Sequence, residues 1–143
     1  MEESAIEFHS ENDFELKNQS QISDWMNSTA KEEGKHIGAL NYIFCDDEYL
    51  HKINVEFLNH DTYTDIITFD YCVGDEIISD IYVSTERVNE NAKEYSESFE
   101  EELHRVLIHG LLHLCGYKDK SEEEESLMRE KENYYLSFAR LKC

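Results

Sequence analysis

The residues predict an α+β fold, a small mixed β-sheet packed with helices, and three observations carry that prediction. Apolar β-branched runs and amphipathic helical runs interleave up to about residue 84, whereas every later segment has helical periodicity. Two adjoining β-rich runs are separated by Val73-Gly74-Asp75, a turn that makes them a hairpin. The stretch 103–114 is apolar nearly all round when projected at about 100° per residue, as a buried helix is. Sheet elements followed by helices give an α+β or α/β layer arrangement, expected here as one domain over residues 1–143.

Taken in order, residues 5–9 form a short strand. A helix is expected over about 21–33, with Ile22, Trp25, Met26 and Thr29 on one side and Gly34 as its stop. Residues 40–45, LNYIFC, read as a strand, and Asp46 as the N-cap of a helix carrying Leu50, Ile53 and Phe57 on one face. The runs DIITFDY (65–71) and EIISDIYV (76–83) are the hairpin, being rich in β-branched and aromatic residues. Ser98 with Glu101, and Ser121 with Glu124, fit the capping box that opens a helix. The last helix is expected to bury a stripe of Leu127, Tyr134, Phe138 and Leu141, with Glu122–Glu125 as a solvated first turn that suits the helix dipole.

Composition narrows the class. The chain of 143 residues is 40% hydrophobic and 32% charged, ordinary for a globular protein, but its net charge is −20. A surface that acidic repels polyanions and argues against broad nucleic-acid binding, DNA included, without excluding a local site. Met1-Glu2-Glu3-Ser4 has neither the basic nor the apolar part of a signal peptide, and no apolar run approaches a membrane span, so a cytoplasmic location is expected. Cys45, Cys72, Cys115 and Cys143 are scattered and form no CxxC pair, which suits a reducing compartment.

Chemistry concentrates in HGLLHLCGYKDK, residues 109–120. His109 and His113 stand one turn apart on the buried helix, and imidazoles there need partners. A pair of hydrogen-bonded core histidines is one reading. The other is a metal site, because Gly116 can end the helix in a left-handed turn that brings Asp119 back toward them. Two nitrogens and a carboxylate oxygen suit zinc with one position open. The residue after the first histidine is Gly110, where a zinc protease carries its glutamate base, so peptide hydrolysis by that route is disfavoured. Any base must come from elsewhere or be bound hydroxide itself. Cys115 reads as packing, His104 as partly exposed, and Asp65 and Asp80 as strand-end carboxylates or as groups orienting a histidine ligand; His51 and His60 cannot be placed.

With that spacing in hand, the chain resembles the YbeY family of bacterial endoribonucleases, which mature the 3′ end of small-subunit ribosomal RNA. The family signature H-G-x-L-H-L-x-G-Y-D-H is matched in its first nine positions by residues 109–117. A second family segment, L-N-x-x-Y-R-x-x-D-x-P-T-D-V-L-S-F, is similar to INVEFLNHDTYTDIITF (53–69), with Asn54, Asp61, Thr64, Asp65 and Phe69 identical. The family's G-D-I appears as Ser79-Asp80-Ile81, and the likeness runs over about residues 40–136.

Four positions depart from the family pattern. Asp119 stands for a third histidine ligand, which makes bound water less acidic and moves selectivity toward harder metals. Lys118 replaces an aspartate beside it, Tyr63 replaces a proline, and Leu58 replaces the arginine that the resemblance casts as a phosphate clamp. Lys118 and Lys120 are then the candidate phosphate-binding cations, ahead of Arg87 and Arg105.

The resemblance implies a zinc-dependent, single-strand-specific endoribonuclease of 16S rRNA maturation and ribosome biogenesis. Its partners would be ribosomal RNA or the small ribosomal subunit, and a ribosomal protein. His109, His113 and Asp119 would hold one ion, with Asp65 as the candidate base. Two competing readings stand beside it: a metal-stabilised ribosome-assembly module without catalysis, which Leu58 favours, and another metallohydrolase such as a peptidase, which Gly110 disfavours.

Overall fold

The computed structural model describes residues 5–58 and 64–138. The readings for residues 1–4 and for His60, Asp61, Tyr63, Leu141 and Cys143 lie outside them, as does the side chain of Leu58. In chain order the elements are β1 (Ile6–Ser10), α1 (Gln19–Glu32), β2 (His36–Cys45), α2 (Asp47–Leu58), β3 (Ile66–Asp70), β4 (Glu76–Ser84), α3 (Thr85–Glu94), α4 (Phe99–Leu114) and α5 (Glu122–Leu136).

The four strands form one mixed sheet in the order β1-β2-β4-β3. β1, β2 and β4 are parallel, and β3 pairs antiparallel with β4 as the expected hairpin, with Gly74 at φ 59° in the turn. β2 begins at His36, four residues before the apolar run, because Ile37 also enters the core.

Alternation along the strands divides the side chains between two layers. Leu40, Tyr42, Phe44, Ile77, Ile81 and Val83 face the main core, which α1 and α4 cover with Ile22, Met26, Leu103, Leu107 and Leu111. Ile67, Phe69 and Tyr82 face the other way and meet Leu50 and Ile53 of α2 over a smaller core. Tyr42, wholly buried, donates its hydroxyl to the Leu107 carbonyl at 2.9 Å and so pins α4 to the middle of the sheet.

The helix starts follow the sequence. Asp46 Oδ1 accepts from the Tyr49 amide at 2.8 Å, and both capping boxes, Ser98 with Glu101 and Ser121 with Glu124, are closed in both directions. Each such cap stabilises its helix by about 1 kcal/mol. Gly34, at φ 77°, ends the turn after α1.

Two expected faces are corrected. On α2, Leu50 and Ile53 are buried but Phe57 is 67% exposed, with its ring edge against Phe69. On α5, Leu127, Tyr134 and Phe138 are exposed, and the buried stripe is Met128, Glu132 and Tyr135. Apolarity selected the wrong arc, since the arc that packs on α4 contains a carboxylate with fixed partners.

Candidate metal centre

The site is built by the C-terminal end of α4. Gly110, beside the histidines on the same helix, lies against the sheet: a Cβ there would come within 2.9 Å of Ile66 Cδ1 and 3.2 Å of Ile81 Cδ1. Position 110 is therefore glycine because helix and sheet touch, and a glutamate there would point into the core. Past Leu114 the chain closes a Schellman turn. The Gly116 amide bonds the His113 carbonyl at 3.1 Å, and the Tyr117 amide bonds the Leu112 carbonyl at 3.1 Å. Gly116 adopts φ 108°, which a side chain would resist. The chain then turns back through Lys118, Asp119 and Lys120 to the Ser121 cap of α5.

That turn brings the three expected ligands together. His109 Nε2 and His113 Nε2 lie 3.0 Å apart, and Asp119 Oδ2 lies 3.3 Å from each. The rings meet edge-on at 4.5 Å between centroids. Among the described residues this is the one group of three His, Cys or acidic side chains compact enough to hold a metal ion.

The partners of the other ring nitrogens determine what these atoms offer. His113 Nδ1 faces the Tyr117 carbonyl at 3.0 Å, and a carbonyl only accepts, so the proton of the neutral ring sits on Nδ1. His109 Nδ1 faces Glu132 Oε2 at 2.6 Å and donates there in the same way. Both Nε2 atoms then present lone pairs to each other and to a carboxylate oxygen. Three acceptors converging on one point repel unless a cation sits among them, and the donor set fits a divalent ion. A proton on His109 is the competitor. Burial works against the imidazolium, but the hydrogen bond and charge of Glu132, then the charges of Asp119 and Asp65, outweigh it and leave the His109 pKa raised.

Glu132 is the site partner that the sequence did not point to, its carboxylate 2.6 Å from His109 Nδ1. Its side chain is 5% exposed, yet it stays ionised: burial raises its pKa, and the hydrogen bonds from His109 and Arg105 more than reverse that. Arg105 Nη1 donates to Oε1 at 2.9 Å, and Arg105 Nη2 donates to Asn133 Oδ1 at 3.0 Å. A lone acid at helical spacing between Met128 and Tyr135 was the available signal.

Tyr117 has a second anchor, because its hydroxyl donates to Glu33 at 2.8 Å. The Tyr135 hydroxyl donates to the same carboxylate, which ties the metal turn to α1 and α5.

The other candidates fall out as follows. The orienting role suggested for Asp65 or Asp80 belongs to Glu132 and to the Tyr117 carbonyl, which occupy both Nδ1 atoms. Asp80 accepts from Asn41 at 3.1 Å instead. Asp65 lies near the site: its carboxylate accepts from Asn91 at 3.3 Å, burial raises its pKa, and the His109 charge pulls the other way. Arg87 is bonded to Asp47 at 2.6 Å and Arg105 to Glu132, whereas among the described residues Lys118 and Lys120 form no ion pair. His104 is partly buried with its ring edge on Trp25, and Cys115 packs against the core. A cavity of about 790 Å³ lies between the 14–18 loop, the N-terminal half of α4 and the end of α5. Of the residues around the metal group, its lining includes Arg105 and Asn133. Among the described residues no helix is long and apolar enough to cross a membrane.

A mixed sheet backed by a buried helix, with two imidazoles of that helix and a carboxylate from the turn after it converging, defines an α+β protein with a group able to hold a metal ion. The sequence model of the family described as Endoribonuclease YbeY matches residues 5–140. A relative named Endoribonuclease YbeY in Flavobacterium johnsoniae is 61% identical over 128 residues, 90% of this chain and 92% of its own. One of the same name in Christiangramia forsetii is 57% identical over 132 residues, 92% of each chain. The solution structure of TM1509 from Thermotoga maritima aligns with a TM-score of 0.67 at 28% identity, covering 94% of this chain and 88% of that one. The chain belongs to the YbeY endoribonuclease family.

Proposed function

We propose that this chain is a zinc-dependent endoribonuclease that cuts single-stranded segments of ribosomal RNA, and that it works in the cytoplasm on 16S rRNA 3′-end maturation. The observation that carries the reading is the convergence of His109 Nε2, His113 Nε2 and Asp119 Oδ2 while each Nδ1 is held by another partner. The names of its relatives supply the reaction class. A divalent ion in that group would supply Lewis acidity, polarising a phosphoryl oxygen and acidifying water.

The chain's own residues supply the rest. Glu132 and the Tyr117 carbonyl orient the two rings, and the Schellman turn carries Asp119 to them. Asp65 is the proposed base, since a carboxyl whose pKa is raised by burial takes a proton more readily near neutrality. Lys118 and Lys120 flank Asp119 and are the proposed contacts to phosphate in place of the family arginine, because Arg87 and Arg105 are engaged by carboxylates. With a net charge of −20, the rest of the surface steers RNA toward this turn and favours help from a ribosomal protein.

Leu58 supports a second reading, a metal-stabilised assembly module without catalysis, because leucine cannot neutralise a phosphate. One experiment separates them: cleavage of a labelled single-stranded RNA carrying a small-subunit 3′ extension, with zinc, with manganese, and with a His113→Ala protein prepared identically. Loss of cleavage in the variant supports the nuclease. Equal residual cleavage in both proteins overturns it and favours the assembly module.

A further inference from the structure

The two histidines of the metal group are held differently. His113 donates to a neutral backbone carbonyl at 3.0 Å, but His109 donates to a carboxylate at 2.6 Å. That carboxylate belongs to a different helix, 23 residues away, and is buried at 5% exposure. Burying a charge costs several kcal/mol unless it is paired, and Glu132 is paired on both sides. Oε2 takes His109, Oε1 takes Arg105 at 2.9 Å, and Arg129 stands 3.6 Å off. Arg105 in turn spans Glu132 and Asn133, neighbours on α5, with its two terminal nitrogens. Such a fork fixes the rotamer of Glu132, and Glu132 fixes the ring plane of His109.

The geometry assigns Glu132 as the positioning residue of the metal centre, acting through His109 and held in register by Arg105. The assignment rests on the reading of His109, His113 and Asp119 as ligands. A hydrogen bond to an anion does two things that a carbonyl cannot do as well. It holds the Nδ1–H tautomer against the alternative, and it shifts electron density toward Nε2, which makes that nitrogen a better donor to a cation. Since α4 and α5 are separate elements, the contact also makes the docking of α5 part of the site. His109 is thus the stronger and more tightly oriented nitrogen ligand, and His113 the weaker one.

The test uses the full chain and zinc alone, with affinity measured by competition against a chelating dye. In Glu132→Gln the amide oxygen can still accept from Nδ1–H, so contact is kept while the charge is lost. Zinc affinity should fall by about 10–100-fold, while cobalt added in place of zinc keeps its four-coordinate absorption because the three ligands remain. Zinc affinity within twofold of wild type overturns the assignment. Should that variant fail to fold, a histidine-selective NMR spectrum of the zinc-loaded wild type decides. A His109 ring protonated at Nδ1, with that proton at lower field than the one on His113, supports the assignment. Two equivalent protons, or an Nε2–H tautomer, overturn it. Wild-type protein that takes up no zinc, or takes up zinc equally after His113→Ala, overturns the ligand reading itself, an outcome distinct from a failure confined to Glu132.

Discussion

Glu102 lies two turns before His109 on α4, is 5% exposed, and has a carboxyl oxygen with no hydrogen-bond partner among the described residues. Burial, the charge of Glu97 and then the charge of Asp65 push its pKa from 4.5 up to about 7. The sign of the consequence is fixed by proton counting. Between pH 4.5 and about 7 the folded chain holds a proton that the unfolded chain has released, so stability falls as pH rises through that window and then levels off. A gap of that width corresponds to about 3 kcal/mol at most, and relaxation around the ionised form reduces it, so a loss of about 1–3 kcal/mol is expected. Glu102→Gln keeps the shape and donates to Glu97 without titrating. Urea unfolding of both proteins at pH 5 and pH 8 isolates the effect, because all other groups cancel in the difference. The variant should gain about 1–3 kcal/mol over wild type at pH 8 relative to the same comparison at pH 5. A difference that does not change with pH would refute the claim that Glu102 is folded in its neutral form.

Three further outcomes follow from the site's geometry. Gly110→Glu should leave no cooperative thermal transition, because the carboxylate would be driven into Ile66 and Ile81, whereas Gly110→Ala should cost no more than about 2 kcal/mol, overpacking being partly offset by helix propensity. Zinc at a hundredfold excess over its dissociation constant should stabilise the protein by about 2.7 kcal/mol in calorimetry; chelator should reverse the gain, and His113→Ala should never show it. Tyr117→Phe removes one of two hydroxyls donated to Glu33 and should lower stability by about 1–2 kcal/mol in urea, with a smaller loss of zinc affinity than Glu132→Gln.

What was legible without coordinates was local. Capping boxes at Ser98 and Ser121, the hairpin turn at Gly74 and the helix stop at Gly116 are short-range chemistry, written in residues within a few positions of one another. The three metal candidates are legible for the same reason, since one helix and one turn carry all of them. Faces and partners were less so. Phe57 and the stripe from Leu127 to Phe138 look like core by polarity, but what is buried depends on which neighbour packs there, and among the described residues these side chains stay exposed.

The sequence by itself determined the α+β class, the placement of His109, His113 and Asp119 around one turn, and the family to which the chain belongs. Only the tertiary structure decided that α5 docks with Glu132 inward, that Arg105 makes that burial tolerable, and that Gly110 is excluded from chemistry by its contact with β3 and β4. Local spacing fixes what a helix and its turn can present. Which carboxylate reaches an imidazole 23 residues away is set by the packing of two helices, and no spacing rule carries that distance.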